Sequence, residues 1–524
     1  MSTFAPEVLL SDFDQVVDVL VAGSGGGITG AYTAAREGLS VALVEATDKF
    51  GGTTAYSGGG GMWFPCNPVL KRAGSDDTIE DALAYFHAVI GDRTPRQLQD
   101  TYVRGGAALI EYLEADPYFE FTVLPWPDYF GAVPGAQTDG LRHIVPKPLP
   151  AKHLGQYEKS VRGPLDSERL GAPQPELLTG GRALIGRFIA ALREMPNVTL
   201  HLNSPLVELI THDGAVVGAV VERGVERTTI GARRGVLLAA GGFEHNPHMR
   251  RRHGVPGRAE DTMGAPGNTG AAHQAAVAVG ASVDLMDQAW WSPGLTHPGG
   301  RSAFALWFTG GIFVNQDGAR FVNESAPYDR LGREMIRQID SGALRLPCWM
   351  VYDDREGEVP PVKATNVSMV ETARYRAEGL WQTADTLEGL ARLIGVPAPN
   401  LIRTVQRFND MVAAGEDRDF GRGNEAYDRA FSNGELPLVP IDKPPFHAAA
   451  FSLSDLGTKG GLRTDDRARV LDASDNPIAG LYAAGNTMAA VSGTAYPGGG
   501  NPIGASMLFS HLAALDMVAG RRPA

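Results

Sequence analysis

Residues 17–30 read VDVLVAGSGGGITG, and the fold turns on this stretch. Val17 to Ala22 is an apolar run of strand type, Gly23-Ser24-Gly25-Gly26-Gly27 is a glycine turn, and Ile28 to Arg36 has a small-residue helical pattern. Leu39 to Val44 is a second apolar run, closed by Glu45. Strand, glycine turn, helix and strand in that order make a βαβ unit. The turn lets main chain approach a pyrophosphate, and the helix start behind it offers amide donors and a positive dipole end. An acid about 20 positions further on accepts ribose hydroxyls; counted from Gly25, Glu45 meets that spacing. Counted from Gly23, which directly follows the strand, the third glycine position holds Ile28, and this predicts slightly looser helix–strand packing. Counted from Gly25, the remaining positions are Gly27 and Gly30.

The chain has 65 glycines in 524 residues, where average usage of roughly 7% would give about 37. They fall in bursts rather than every third residue, which excludes collagen, and 43% hydrophobic residues exclude wholesale disorder. The length predicts two or more domains. Three bursts matter most. Residues 51–61 read GGTTAYSGGGG, Ala239-Ala240-Gly241-Gly242 ends a buried run, and Leu481-Tyr482-Ala483-Ala484-Gly485-Asn486 repeats that form. A ligand touched by the first, middle and last parts of the chain suits FAD better than a mobile NAD.

The formal charge of −13, with no basic stripe, excludes a phosphate-tracking nucleic-acid binder. Cys66 and Cys348 provide neither a disulfide framework nor a CxxC pair. Residues 1–15, MSTFAPEVLLSDFDQ, lack the pattern of a signal peptide, so a cytoplasmic enzyme is expected. From Asn476 to Leu515 forty residues carry no Asp, Glu, Lys or Arg, but seven glycines and three prolines interrupt them. That tract is read as the lining of a buried ligand site and not as a transmembrane helix. His245, His248 and His253 flank Arg250-Arg251-Arg252, which predicts a solvated surface and no metal site. Neither G-x-S-x-G nor GxxxxGK[ST] occurs, so α/β-hydrolase and P-loop chemistry are excluded.

Further along, helices are expected over 78–90, over 95–115 with Thr94 as N-cap, over 183–193, around 385–394 and 400–413, and from about 504. Strands are expected over 199–202, 206–210, 216–222 and 235–240. A hairpin is expected around Gln316-Asp317-Gly318, between Phe313-Val314 and Phe321-Val322. The Pro- and Gly-rich stretch 131–182 shows no sustained period and reads as a substrate-site cover or a mobile loop.

With these motifs in view, GSGGG, ALVEA, GGTTAYSGG, AAGG and LYAAGN resemble the FAD-binding half of the flavoprotein family that includes fumarate reductases. Pro127-Asp128-Tyr129, Asn323-Glu324-Ser325-Ala326-Pro327-Tyr328, Ser454-Asp455-Leu456-Gly457-Thr458-Lys459-Gly460-Gly461 and Tyr496-Pro497-Gly498-Gly499-Gly500-Asn501-Pro502-Ile503-Gly504 narrow the resemblance to 3-ketosteroid Δ1-dehydrogenases. The resemblance covers essentially the whole chain. It implies an α/β fold with a Rossmann-like FAD-binding domain formed by both chain ends, residues 1–286 and 452–524, and an inserted α+β catalytic domain, 287–451. It also implies non-covalent FAD. The cofactor contacts are expected at Gly23, Ser24, Gly25, Gly27, Ile28, Glu45, Ala46, Gly52, Thr53, Thr54, Ser57, Gly58, Gly59, Leu206, Ala240, Gly241, Gly485, Asn486, Pro502, Ile503 and Gly504. One departure is Gly499, where relatives often have a proline.

The implied reaction removes two vicinal hydrogens beside the ring ketone of a 3-ketosteroid, with an unspecified final electron acceptor. Tyr496 and the Gly500 amide polarise the ketone as oxyanion donors, Tyr328 takes the C2 proton, and FAD accepts the C1 hydride. A free tyrosine has a pKa near 10, and Tyr129 is expected to donate a hydrogen bond that favours the Tyr328 tyrosinate. Lys459 reads as structural, with a flavin contact open. Two alternatives remain: another steroid desaturase or fumarate-reductase-like enoate reductase, which would use an arginine proton donor, and a non-catalytic flavin-binding protein, which would need no base.

Overall fold

The computed structural model describes residues 12–520, so most of the stretch read for a signal peptide lies outside the described residues. The larger sheet has eight strands. Along its main path the order is Arg469–Leu471, Pro477–Ala483, Glu226–Leu238, Gln15–Ala22, Val41–Val44 and Val198–His201. The last five are parallel. Ala215–Arg223 folds back antiparallel onto Glu226–Leu238, and Leu206–His212 pairs antiparallel with Ala215–Arg223 across the expected Asp213-Gly214 turn. Parallel strands need cover on both faces, and Val41–Val44 is accordingly buried at every residue.

Helix Gly27–Arg36 leaves the first strand and packs against helices Asn501–Ala519 and Gly180–Leu192. The expectation of loose packing at Ile28 is corrected, because Gly27 and Gly30 draw the helix in. A Cβ on Gly27 would lie 2.8 Å from Val21 Cγ1, and one on Gly30 would lie 2.6 Å from Leu237 Cδ2 and 2.8 Å from the Ser510 carbonyl oxygen. Among the described residues, Asn501–Ala519 is the one helix long and apolar enough to cross a membrane by length and composition. It is the buried partner of Gly27–Arg36.

A second, seven-stranded antiparallel sheet occupies residues 289–458, its main path running Ile312–Val314, Cys348–Asp353, Phe446–Thr458, Ala289–Thr296, Ser302–Phe308 and Val362–Thr365. Trp381–Ala384 also pairs with Phe446–Thr458. That central strand runs without a break through residue 451 to Thr458. Helix Tyr328–Asp340 lies on Ala289–Thr296, where a Cβ on Gly332 would come within 2.8 Å of Trp291 Cβ.

Most local expectations match the elements observed; three are corrected. The hairpin around Gln316-Asp317-Gly318 closes by a single bridge, Val314 to Arg320, because Ile312–Val314 pairs instead with Cys348–Asp353. Helix Arg96–Glu114 is preceded by Pro95 at the cap position, because the Thr94 hydroxyl donates to the Val491 carbonyl. Residues 131–182 hold short ordered pieces, including strand His143–Pro146 and helix Leu165–Arg169, too short to show a period. Helix Leu165–Arg169 ties down that stretch. Arg169 donates to the carbonyls of Thr262 and Ser302, and Asp166 accepts from Ser368.

Burial pushes His143 down to about 3 and His273, His297 and His511 down to about 4. The unfolded chain therefore binds more protons than the folded one below the ordinary histidine pKa of about 6.5. Their contribution to stability is complete above that pH and is lost as pH falls toward 4. Denaturant unfolding between pH 8 and 5 is expected to show midpoints that are level above neutrality and decline below it.

Candidate active site

A cavity of about 570 Å³ runs from the glycine turn at Gly23 to the face of the second sheet. Of the residues expected at the cofactor, all line it except Gly27, Ile28 and Gly504. Those three pack behind its wall. Gly27 faces Val21, Ile28 is fully buried in the core, and Gly504 faces Tyr102 and Phe64. At the head of the cavity Glu45 is held on both oxygens. Oε2 accepts from the Ser24 amide and hydroxyl at 3.3 and 2.5 Å, and Oε1 from those of Thr47 at 3.0 and 2.9 Å.

Midway along, three chain segments meet main chain on main chain. A Cβ on Gly60 would lie 2.4 Å from the Gly180 carbonyl carbon, one on Gly180 2.2 Å from the Gly58 oxygen, and one on Gly500 2.1 Å from the Gly61 oxygen. Gly60, Gly180 and Gly500 also have φ of 60°, 53° and 84°, which favour glycine.

Asn268 and Glu244 were not anticipated. The Asn268 side-chain amide lines the cavity and donates to Glu244 Oε1 at 2.5 Å and to the Thr53 hydroxyl at 2.9 Å. Glu244 is fully buried, also accepts from Thr458, and is raised above its ordinary pKa by burial. An acid two residues beyond the Gly241-Gly242 turn was the available signal. The basic stretch is corrected too: Arg250 turns inward to pair with Asp455 at 2.8 Å, while Arg251 and Arg252 stay exposed.

At the far end Tyr129, Tyr328 and Tyr496 come together as expected. Their ring centroids lie 5.2–5.7 Å apart in edge-on geometry. The Tyr328 hydroxyl donates to that of Tyr496 at 2.9 Å, whereas the Tyr129 hydroxyl has no hydrogen-bond partner. The Tyr129 and Tyr328 hydroxyls lie close enough to influence each other's ionisation, but outside the geometry of the expected hydrogen bond. Burial raises Tyr129 and Tyr328 well above 10 and pushes Tyr496 up to about 12. Trp290, Phe304, Trp126 and Trp307 complete an aromatic chamber.

Each tyrosine is fixed by the motif around it. The Asp128 carboxylate accepts from Trp63 Nε1, the Gln137 amide and Arg142, and Arg142 also pairs with Asp77. The Tyr129 amide donates to the Pro497 carbonyl at 3.0 Å, and the Tyr129 carbonyl accepts from Arg330 at 3.2 Å. Tyr129 is thus tied to the turn that carries Tyr496 and to the helix that Tyr328 starts. Glu324 is fully buried between Arg320 and Arg422, which anchors the segment leading into Tyr328.

These features suit FAD. Glycine main chain and a held acid stand at one end, an aromatic chamber at the other, and small residues form the slot between. The chain matches the FAD binding domain family model over residues 18–503. It is 38% identical to the 3-oxosteroid 1-dehydrogenase of Mycolicibacterium smegmatis, covering 96% of this chain and 98% of that one. It is 36% identical to the 3-oxosteroid 1-dehydrogenase of Rhodococcus opacus, covering 97% and 100%. The crystal structure of 3-ketosteroid delta1-dehydrogenase from Sterolibacterium denitrificans in complex with 1,4-androstadiene-3,17-dione superposes with a TM-score of 0.88 at 33% identity, over 97% of this chain and 100% of that one.

Tyr85 braces the two tyrosine segments, since its hydroxyl donates to the Pro497 carbonyl and accepts from the Phe130 amide. Tyr85→Phe keeps the ring but leaves the Phe130 amide without this partner and the Pro497 carbonyl with only the Tyr129 amide. Denaturant unfolding is expected to show a loss of about 1–3 kcal/mol.

Proposed function

The chain belongs to the FAD binding domain family and, within it, to the 3-oxosteroid 1-dehydrogenases, and on that footing we propose that it desaturates the A-ring of a 3-ketosteroid between C1 and C2. The observation that carries this is the cluster of three buried tyrosines at the closed end of the FAD-type cavity, with Tyr328 and Tyr496 joined at 2.9 Å. Bound FAD supplies the acceptor for the hydride that leaves C1.

The protein's own groups do the rest. Tyr496 and the Gly500 amide receive the ketone oxygen, which draws electron density from C2 and acidifies its hydrogens. With a ketone in place, the Tyr496 hydroxyl donates to the ligand, and Tyr328 accepts the C2 proton in its deprotonated form. Tyr129, whose hydroxyl is unpartnered, stands edge-on to both and supplies the next polar group for a proton leaving Tyr328. Apolar and aromatic walls exclude water and favour a fused-ring hydrocarbon skeleton. We assign residues 1–286 and 452–524 to the cofactor domain and 287–451 to an inserted substrate domain, with strand Phe446–Thr458 crossing the second boundary. The Rossmann-type arrangement of the first is supported by its five parallel strands, the second by its antiparallel sheet.

Purified protein is expected to be yellow and to convert 4-androstene-3,17-dione to the 1,4-diene with an artificial acceptor; colourless folded protein, or unsaturation elsewhere on the ring, refutes the assignment. Tyr328→Phe is expected to lower turnover at least about 10²-fold. Because burial raises Tyr328 well above 10, its deprotonated fraction at neutral pH is small and grows about tenfold per unit. The ratio kcat/KM is expected to rise with pH from 7 to 9 without a plateau, and a profile flat over that range removes the tyrosinate from the mechanism.

A further inference from the structure

Lys459 lies within the Ser454-to-Gly461 motif, is fully buried, and takes no part in the chemistry assigned above. Its own backbone is pinned, with the amide donating to the Gln288 carbonyl and the carbonyl accepting from the Ala490 amide. Among the described residues no carboxylate lies within ion-pair distance of its Nζ. The charged groups that face it, Asp329 and Arg333, both come from helix Tyr328–Asp340, and burial lowers its pKa well below the ordinary lysine value. A buried ammonium without a carboxylate is costly, so what it holds instead is informative.

It holds two supports of one residue. Nζ donates to the Ala495 carbonyl at 2.7 Å, fixing the peptide that leads into Tyr496, and the Ser492 hydroxyl shares that oxygen at 3.0 Å. The same Nζ lies 3.7 Å from the centre of the Trp290 ring, in cation–π geometry. Trp290 meets the Tyr496 ring edge-on with centroids 4.9 Å apart, and its Nε1 donates to Asn486 Oδ1 at 3.0 Å, at the cofactor cavity. One cation therefore fixes both the backbone entering Tyr496 and the aromatic wall beside its ring.

We infer that Lys459 is a positioning residue for the ketone-polarising hydroxyl of Tyr496, an inference that rests on the role proposed for Tyr496 above. A hydroxyl that stabilises developing charge must sit at a set distance from the oxygen, and a misplacement of about 1 Å costs on the order of 10²-fold in rate. Lys459 acts through Ala495 and Trp290, without touching the substrate.

The test is a double-mutant cycle on the flavin-loaded enzyme, with flavin content read from absorbance and turnover measured on 4-androstene-3,17-dione. Lys459→Met is expected to lower kcat about 10- to 100-fold at unchanged flavin content, and Lys459→Arg to recover part of that loss. In a Tyr496→Phe background Lys459→Met is expected to change kcat by less than about twofold, because the group it positions is already gone. The inference is overturned if Lys459→Met leaves kcat within about twofold of the parent, or lowers it equally in both backgrounds as a general scaffold residue would. Tyr496→Phe with parental turnover overturns the role of Tyr496 itself, and this inference with it. Should Lys459→Met yield no flavoprotein, Trp290→Leu removes the ring under the ammonium and enters the same cycle with the same two outcomes.

Discussion

Main chain meeting main chain, where residues 58–61, 180–181 and 500 interlock, is the constraint on which the rest of the structure depends. A Cβ at Gly60, Gly180 or Gly500 would lie 2.1–2.4 Å from the facing main chain and force the segments apart. The first segment belongs to the cofactor loop, the second starts a helix beneath it, and the third ends the turn that carries Tyr496. The ketone end of the cavity therefore keeps its distance from the cofactor loop through backbone contact, without relying on rotamers. This gives the glycine surplus its purpose here: close approach rather than flexibility.

Around that frame the charges and the hydroxyls are kept apart. Buried ion pairs such as Arg142 with Asp77 and Asp128, Arg320 and Arg422 with Glu324, and Arg250 with Asp455 sit behind the working surfaces and hold segments in register. The chamber itself presents tyrosine hydroxyls and indole rings. Inside it, burial keeps the phenols neutral. Under the proposed reaction, the resting contact between Tyr328 and Tyr496 is the one a substrate oxygen would compete for.

The βαβ unit, Glu45 and the glycine bursts were legible in the sequence because their signals are local: alternation, spacing and residue size within about thirty positions. Tyr328 and Tyr496 were legible as members of motifs, and Tyr129 only through family resemblance, since a lone tyrosine carries no periodic mark. Asn268, Glu244 and Trp290 were not anticipated because their roles arise from register between distant strands. The Asn268 contact exists only once the Gly241 turn and Thr53 are brought together. The same holds for residues 131–182, whose order comes from partners at Phe50, Thr262, Ser302 and Ser368 and not from any internal repeat.

Strand Pro477–Ala483 and helix Asn501–Ala519 complete the parallel sheet and its cover, yet they are the last described elements to be synthesised. Until they emerge, one edge of the growing sheet and the face of helix Gly27–Arg36 that meets Asn501–Ala519 have no partner, and the cavity lacks the Asn486 and Tyr496 walls. Chains fold progressively from the N-terminus as they leave the ribosome, so here the glycine turn made first must wait for a wall made last. Flavin capture then awaits the synthesis of these two elements, and a nascent chain stalled before residue 477 exposes apolar surface that chaperones would have to shield.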